Sequence, residues 1–545
     1  MTTLHVRLVS SSPGSGLRAR GATAAGRAGG WRGLLRVSSL CAMAACATDS
    51  RALRPQPGPS TPQPSAAVNT TSTGTALPAA ATTPAAGPAS PAADGGTVLQ
   101  PIAQPYADIA ARILTASLAN HAAYDRLAVL SDEIGPRLSG SVALTRAVSW
   151  ARDEFARDAQ ENVELEPVRV PHWLRGAESA ALIAPIAQPI QVLALGGSVA
   201  TPAAGVIADV AVVTSFDELT QLGVAAQGKI VLFNHPMALA GTPGLNYGEA
   251  VDYRANAARR AAPFGAVAVL VRSVTAHSLA TVHTGRMNYG TDAIKKIPAA
   301  SISIEDAELI ARLAARGHKV KLRLTLAAKT LPDVESANVL AEIRGKTLPE
   351  QIVLIGAHID SWDVGRGAQD DGAGCVIVME ALAVLRRLGL QPARTLRAVL
   401  FTNEENGGRG AQQYAQDHAA EPHVAAFETD TGAGAPLGFM TDGVQTFGEE
   451  ANQLARLLAP IEAASVTPGF AGEDVLPLKA TGAALFGLQV DMSHYFDVHH
   501  SAADTLDKVN PEHLQRSVAA LATFAYVLAD RAQRFEPEPA AAATP

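Results

Sequence analysis

After Asn338 the chain falls into a strict alternation of apolar strand-like runs and helical stripes, and each run ends in acids or histidine. Ile352–Ile355 reads as a buried strand, and Gly374–Leu388 as a helix with Val378, Leu382, Leu385 and Leu388 on one face. Leu396–Phe401 predicts a second strand, Gly410–His418 a second helix and Val424–Phe427 a third strand. Strands joined by crossover helices require a parallel or mixed sheet covered on both faces, an α/β fold. The last helix opens at Asn510-Pro511, an N-cap followed by a first-turn proline, with Leu514, Val518, Leu521, Ala525 and Leu528 as its buried stripe.

Ligands of an open α/β sheet bind beyond the carboxyl ends of its strands. The first strand here runs into His358-Ile359-Asp360, and the following loop carries Gln369-Asp370-Asp371-Gly372. The second runs into Asn403-Glu404-Glu405, the third into Glu428-Thr429-Asp430, and near the C-terminus His499-His500 precedes Asp504-Thr505. Singly, each piece has an ordinary reading: a local His–Asp hydrogen bond, an acidic helix start favoured by the dipole, a solvated turn. Together they crowd carboxylates at one sheet edge, where like charges repel unless a cation intervenes. Imidazole nitrogen mixed with carboxylate oxygen suits zinc with positions open to water. Two such ions about 3.5–4 Å apart can share a bridging carboxylate and clamp a hydrolytic transition state. His418, His494 and His513 read as structural or surface residues.

Upstream, Leu144, Val148, Ala151 and Phe155 predict a helix over 141–157, and Val163, Leu165, Val168 and Val170 a strand. Between 173 and 330 come short β-like runs at Val192–Leu195, Val206–Val213, Lys229–Phe233, Ala266–Val271 and Lys319–Leu326, which read as a strand-rich insertion. The catalytic domain is then split into 105–172 and 331–535, with a short disordered tail at 536–545.

The head of the chain obeys different rules. Residues 1–96 hold 8 Lys/Arg against 2 Asp/Glu, whereas the rest holds 36 against 49, so the formal charge of -7 sums a basic head and an acidic body. That balance argues against a general nucleic-acid binder. Arg18, Arg20, Arg27, Arg32 and Arg36 precede a short apolar run at Leu34–Ala45, the order of an export signal. Met43-Ala44-Ala45-Cys46 resembles a lipobox with Cys46 lipidated; a plain signal peptide behind an upstream start codon is the other reading, so 1–46 is a leader in either case. Residues 47–104 read as a disordered tether, because 55–96 contain nine prolines and a single charged residue, Asp94. Any membrane attachment is expected only through that lipid anchor. The three cysteines make no disulfide framework.

Taken with Ser361-Trp362-Asp363-Val364-Gly365 and with Ile134-Gly135-Pro136-Arg137-Leu138-Ser139-Gly140-Ser141, these motifs resemble the co-catalytic zinc peptidases of the aminopeptidase Y and carboxypeptidase Q type, the carboxypeptidase Q branch above all. The resemblance spans roughly 105–535. It implies a zinc-peptidase (phosphorylase/hydrolase-like) mixed-sheet domain with an inserted protease-associated or lid-like subdomain. It also implies two Zn2+ per chain, with His358 and Asp430 on one, Glu405 and His500 on the other, and Asp370 bridging. Glu404 becomes the general base, while Asp360 orients His358 and Asp504 supports the ligand loop. His500 is preferred over His499 because the family histidine stands four residues before an Asp-Thr pair. The implied activity is exopeptidase cleavage of short peptides, dipeptides with free termini above all, and a homodimer is compatible with it. Where some relatives carry Ser-Asp-His, this chain has Gly472-Glu473-Asp474-Val475, which puts substrate-side contacts in doubt. The alternatives are an aminopeptidase acting on longer peptides and a non-catalytic peptide-binding relative. A serine hydrolase lacks its Gly-x-Ser-x-Gly elbow, and Gly432-x-Gly434 is a poor dinucleotide fingerprint.

Overall fold

The computed structural model of the chain describes residues 101–535, apart from 239–245, 292 and 443–446; the expected leader, tail and nearly all of the tether lie outside these residues. Helices α1 (Ala107–Leu118), α2 (Ala122–Ala128) and α3 (Val142–Arg157) come first. Ser141 caps α3 by accepting from the Leu144 N–H, and Leu144, Val148, Ala151 and Phe155 are buried, as the spacing predicts.

Strand β1 (Glu161–Leu174) leads from a first sheet into a second. The second sheet takes β2 (Glu178–Ala184), β3 (Gln188–Ile190), β4 (Val192–Ala194) and β5 (Val206–Val213), then helix α4 (Phe216–Leu222) and β6 (Ile230–Phe233). Helix α5 (Tyr247–Ala261), β7 (Ala268–Arg272), β8 (Ala299–Ile302), helix α6 (Ile304–Ala315) and β9 (Lys321–Leu326) complete it. Its spatial order is β3-β2-β9-β5-β6-β7-β8-β4, with β5 to β8 parallel. The segment is strand-rich, as expected, supplying all eight strands of this sheet, and among the described residues it adds three α-helices that the sequence reading did not foresee. The signal of α5 is weak because its buried face is mostly alanine (Ala250, Ala257, Ala258, Ala261), which hydrophobic periodicity registers poorly.

The chain returns through β10 (Lys329–Ile343), which pairs antiparallel with β1, just as β9 pairs with β2. The insertion thus leaves and re-enters on one two-stranded ribbon. The first sheet continues with β11 (Leu348–His358), α7 (Ala373–Arg387), β12 (Arg394–Phe401), α8 (Arg409–Asp417) and β13 (His423–Glu428). It ends with β14 (Pro436–Thr441), α9 (Gly448–Ala455), β15 (Ser465–Pro468), β16 (Ala484–Val490), α10 (Tyr495–Val498) and α11 (Pro511–Asp530). The order is β1-β10-β12-β11-β13-β16-β14-β15, and β12, β11, β13 and β16 are parallel. His358 lies opposite Phe401, and Gly356 opposite Glu428, so three strands end side by side. Asn510 caps α11 through the N–H groups of Glu512 and His513. This helix and α7 are apolar on nearly every face and are buried accordingly.

Away from the strand ends, His418 links α8 to β1 by a 2.6 Å contact to Glu166 and also reaches Glu421 at 3.0 Å. Burial opposes its charge, but Glu166 and Glu421 hold it up at about 9. A histidine raised in the folded state stabilises fully below its unfolded value of about 6.5 and loses that contribution as pH rises through about 9. Urea unfolding of His418→Gln should show a deficit of about 1–2 kcal/mol near pH 6, fading toward pH 10. A deficit independent of pH would contradict the charged assignment.

Candidate metal centre

Each expected ligand sits where the backbone leaves a parallel strand or an adjoining loop. His358 is the last residue of β11 and is fully buried. Its backbone N–H donates to Asp371 Oδ2 at 3.1 Å, while Asp371 Oδ1 accepts from the Gly374 N–H at the start of α7. Asp371 is thus the helix-start acid, which frees Asp370 for other work. A side chain at Gly374 would place its Cβ 1.9 Å from the Thr429 carbonyl, so the close approach of α7 to β13 requires glycine.

Asp370 is the meeting point. Its Oδ1 lies 3.2 Å from His358 Nε2, and its Oδ2 lies 3.1 Å from His500 Nε2. Asp430 Oδ1 stands 3.5 Å from His358 Nε2, and Glu405 Oε2 stands 3.0 Å from His500 Nε2. The five expected ligands therefore form two half-sites joined by the two oxygens of one aspartate. His499 stacks on His500 with ring centroids 3.6 Å apart, and its Nε2 is also 3.5 Å from Asp370 Oδ2. His500, unlike His499, contacts Glu405 as well. It adopts φ +58°, a left-handed conformation that histidine holds only under local constraint.

The supporting residues differ in detail from expectation. The His358 ring meets the backbone carbonyl of Asp360 at 3.1 Å, whereas the Asp360 carboxylate lies 3.8 Å away. That carboxylate instead accepts from the Glu404 N–H at 3.0 Å and so positions the expected base. Asp504 accepts from the N–H groups of Ala368, Gln369 and Asp370 at 3.0, 2.7 and 3.2 Å, which holds the loop that presents Asp370. Glu405 Oε1 accepts from the Trp362 N–H at 3.0 Å, leaving Oε2 for His500.

Electrostatics mark the centre as a cation site. Burial favours neutral acids, yet His358 and His500 hold Asp370 well below the usual carboxylate range. Burial and then Asp370 push Glu405 well up, and burial raises Asp430. Burial, with the charges of Asp430, Asp360 and Asp370 outweighing His358, lifts Glu404 to about 8. His358 Nε2, Asp370 Oδ2 and Asp430 Oδ1 are buried without a hydrogen-bond donor or acceptor matched to them. Orphaned nitrogen and oxygen atoms converging in this way fit divalent metal, and the donor set fits zinc.

Sequence reasoning quoted Arg137 within a motif without a role and missed several other contributors. Arg137, fully buried, donates to the carbonyls of Ile359, Arg366 and Gly367 at 2.7, 3.0 and 3.0 Å and so ties the N-terminal motif to the metal loop. Arg175, at the start of the insertion, forks onto Asp363 at 2.9 and 2.5 Å. The Thr284 N–H donates to the His500 carbonyl at 2.9 Å, and His283 Nδ1 meets the His499 carbonyl at 2.6 Å. The loop between β7 and β8 of the insertion therefore grips the histidine loop directly. Glu428 accepts from the N–H groups of Asp474 and Val475 at 2.8 and 2.9 Å, so the departing Gly472–Val475 segment is anchored beside the site. No motif flags Arg175 or His283, because their partners lie far away in sequence.

Fold and site together define a metallopeptidase, and comparison with known proteins agrees. The peptidase family M28 pattern matches residues 338–525. Carboxypeptidase Q of Bos taurus is 42% identical over 430 residues, covering 78% of this chain and 89% of that protein. The crystal structure of a peptidase M28 precursor from Shewanella amazonensis shares 36% identity at a TM-score of 0.77, covering 80% of this chain and 99% of that one. An aminopeptidase from Aneurinibacillus, at 22% identity and a TM-score of 0.55, shares the fold. The chain belongs to peptidase family M28 and is a metallo-exopeptidase.

Arg137→Lys keeps the charge but loses the planar fork. Chemical unfolding should show a loss of about 2–4 kcal/mol, since three buried carbonyls lose donors. An unchanged midpoint would show that the arginine does not hold the loop.

Proposed function

We propose that the chain is an exported di-zinc exopeptidase that cleaves short peptides, dipeptides with free termini above all, with Glu404 as general base. The observation that carries this reading is Asp370, whose two oxygens face two different histidines, each paired with a further carboxylate. His358 and Asp430 would hold one zinc, Glu405 and His500 the other, with Asp370 shared. When bound, the zinc ions supply Lewis acidity toward water and toward the charge that develops on the scissile carbonyl oxygen.

The protein supplies the proton traffic. Glu404 is partly exposed at the end of β12, and its backbone is fixed by Asp360. It takes a proton from the attacking water and delivers it to the leaving amine. Glu405 cannot share this task, because its oxygens are committed to the Trp362 N–H and to the His500 side. Two adjacent glutamates thereby hold separate roles. Export rests on the basic and apolar order of residues 1–46. Among the described residues, no helix is long and apolar enough to cross a membrane.

Glu404→Gln should keep its zinc, measured by elemental analysis, and lose about 10²–10⁴-fold in kcat. Hydrolysis near the wild-type rate would remove Glu404 from the chemistry. His358→Ala and Asp370→Ala should each lower zinc content together with activity. Two zinc ions retained in both variants would contradict the ligand set.

A further inference from the structure

Arg254 is an unexplained cation beside the metal centre. It lies on α5 of the insertion, is 7% exposed, and reaches across to the histidine loop. One terminal nitrogen lies 3.2 Å from the Tyr247 hydroxyl and 3.4 Å from His500 Nδ1. Its Nε has no partner. Among the described residues no carboxylate comes within ion-pair distance of it, unlike the largely buried Arg126 and Arg175, which are each paired. A Cβ on Gly285 would stand 2.4 Å from the guanidinium carbon, so the backbone is cut away to admit this side chain.

A buried guanidinium without a counter-anion is costly. The contact with His500 makes the cost plainer. A histidine that ligates metal through Nε2 keeps its proton on Nδ1. Arginine has no acceptor. Two donors therefore face one another across 3.4 Å, with the Tyr247 hydroxyl alongside. Donors converging in a buried setting call for an anionic acceptor that arrives with the substrate.

We propose that Arg254, assisted by Tyr247, binds the terminal carboxylate of the peptide substrate and so makes the enzyme a reader of free C-termini. In a dipeptide only the amide nitrogen and one Cα separate the scissile carbonyl carbon from the carboxylate carbon. A carboxylate recognised one residue beyond the cleaved bond therefore belongs close to the ligand shell, and Arg254 borders that shell through His500. The insertion then has a chemical role as well as an architectural one: it carries the residue that sets substrate length. This inference rests on the exopeptidase reading above and deepens it.

The test compares dipeptides bearing a free carboxylate with the same dipeptides as C-terminal amides, using the zinc-loaded full chain, Arg254→Met, Arg254→Lys and Tyr247→Phe. Wild type should prefer the acid by about 10–100-fold in kcat/KM, the size expected for charge-assisted hydrogen bonds. Arg254→Met should collapse that preference to within about threefold, mainly through KM, with zinc content unchanged and amide hydrolysis retained. Arg254→Lys should restore part of the preference, because it keeps the charge without the fork, and Tyr247→Phe should weaken it less than Arg254→Met does. Calorimetric titration of Glu404→Gln with and without Arg254→Met should show the same loss of affinity for the acid alone. If Arg254→Met loses zinc, or slows acid and amide equally, Arg254 is a prop for His500 and the proposal is overturned. A persisting acid preference in Arg254→Met overturns it as well. Failure of the wild-type enzyme to cleave any dipeptide would instead defeat the exopeptidase reading itself.

Discussion

The geometry of one carboxylate organises this protein. Asp370 can face both His358 and His500 only if the loop after β11, the end of that strand and the C-terminal histidine loop meet within a few ångströms. Asp504 secures the first of these through three backbone N–H groups, and Asp371 secures the second through the His358 N–H. Arg137 stitches the intervening loop from the far end of the chain. Burying so many acids disfavours their charged forms, and cations restore the balance. Neighbouring residues that look redundant in sequence therefore take different partners: Asp370 faces both histidines while Asp371 caps α7, and Glu405 faces His500 while Glu404 is held through its backbone by Asp360.

The insertion is part of this constraint. It departs on β1 and returns on β10 as a single antiparallel ribbon, which fixes its second sheet relative to the first. Arg175 clamps Asp363 at the point of departure, and residues 283–284 hold the backbone of His499 and His500. Gly196 approaches Trp362 so closely that a Cβ would sit 2.0 Å from the indole. A rigid histidine loop at φ +58° is tenable because its carbonyls are hydrogen-bonded from this second layer. Arg254 enters the site from that same layer.

The first sheet was legible in the sequence because its strands are continuous apolar runs and its helices carry Leu and Val stripes; α7, β12, α8 and β13 fall within a residue or two of the predicted bounds. Helix α5 of the insertion was not legible, since small alanines pack well there yet leave little periodicity. The acids and histidines at the strand ends stood out because parallel topology collects them at one edge. Asp360 shows the limit: its side chain was expected on His358, and it serves the Glu404 backbone instead. Arg137, Arg175 and Arg254 act on residues hundreds of positions away or on another sheet, and no local pattern encodes such a contact.

The central claim is that one aspartate joins two metal half-sites. Anomalous diffraction at the zinc edge from crystals of the zinc-loaded protein tests it directly. The account predicts two peaks, one bounded by His358 and Asp430, the other by Glu405 and His500, with Asp370 in contact with both. A single peak, or a second peak ligated by His499 in place of His500, would contradict it.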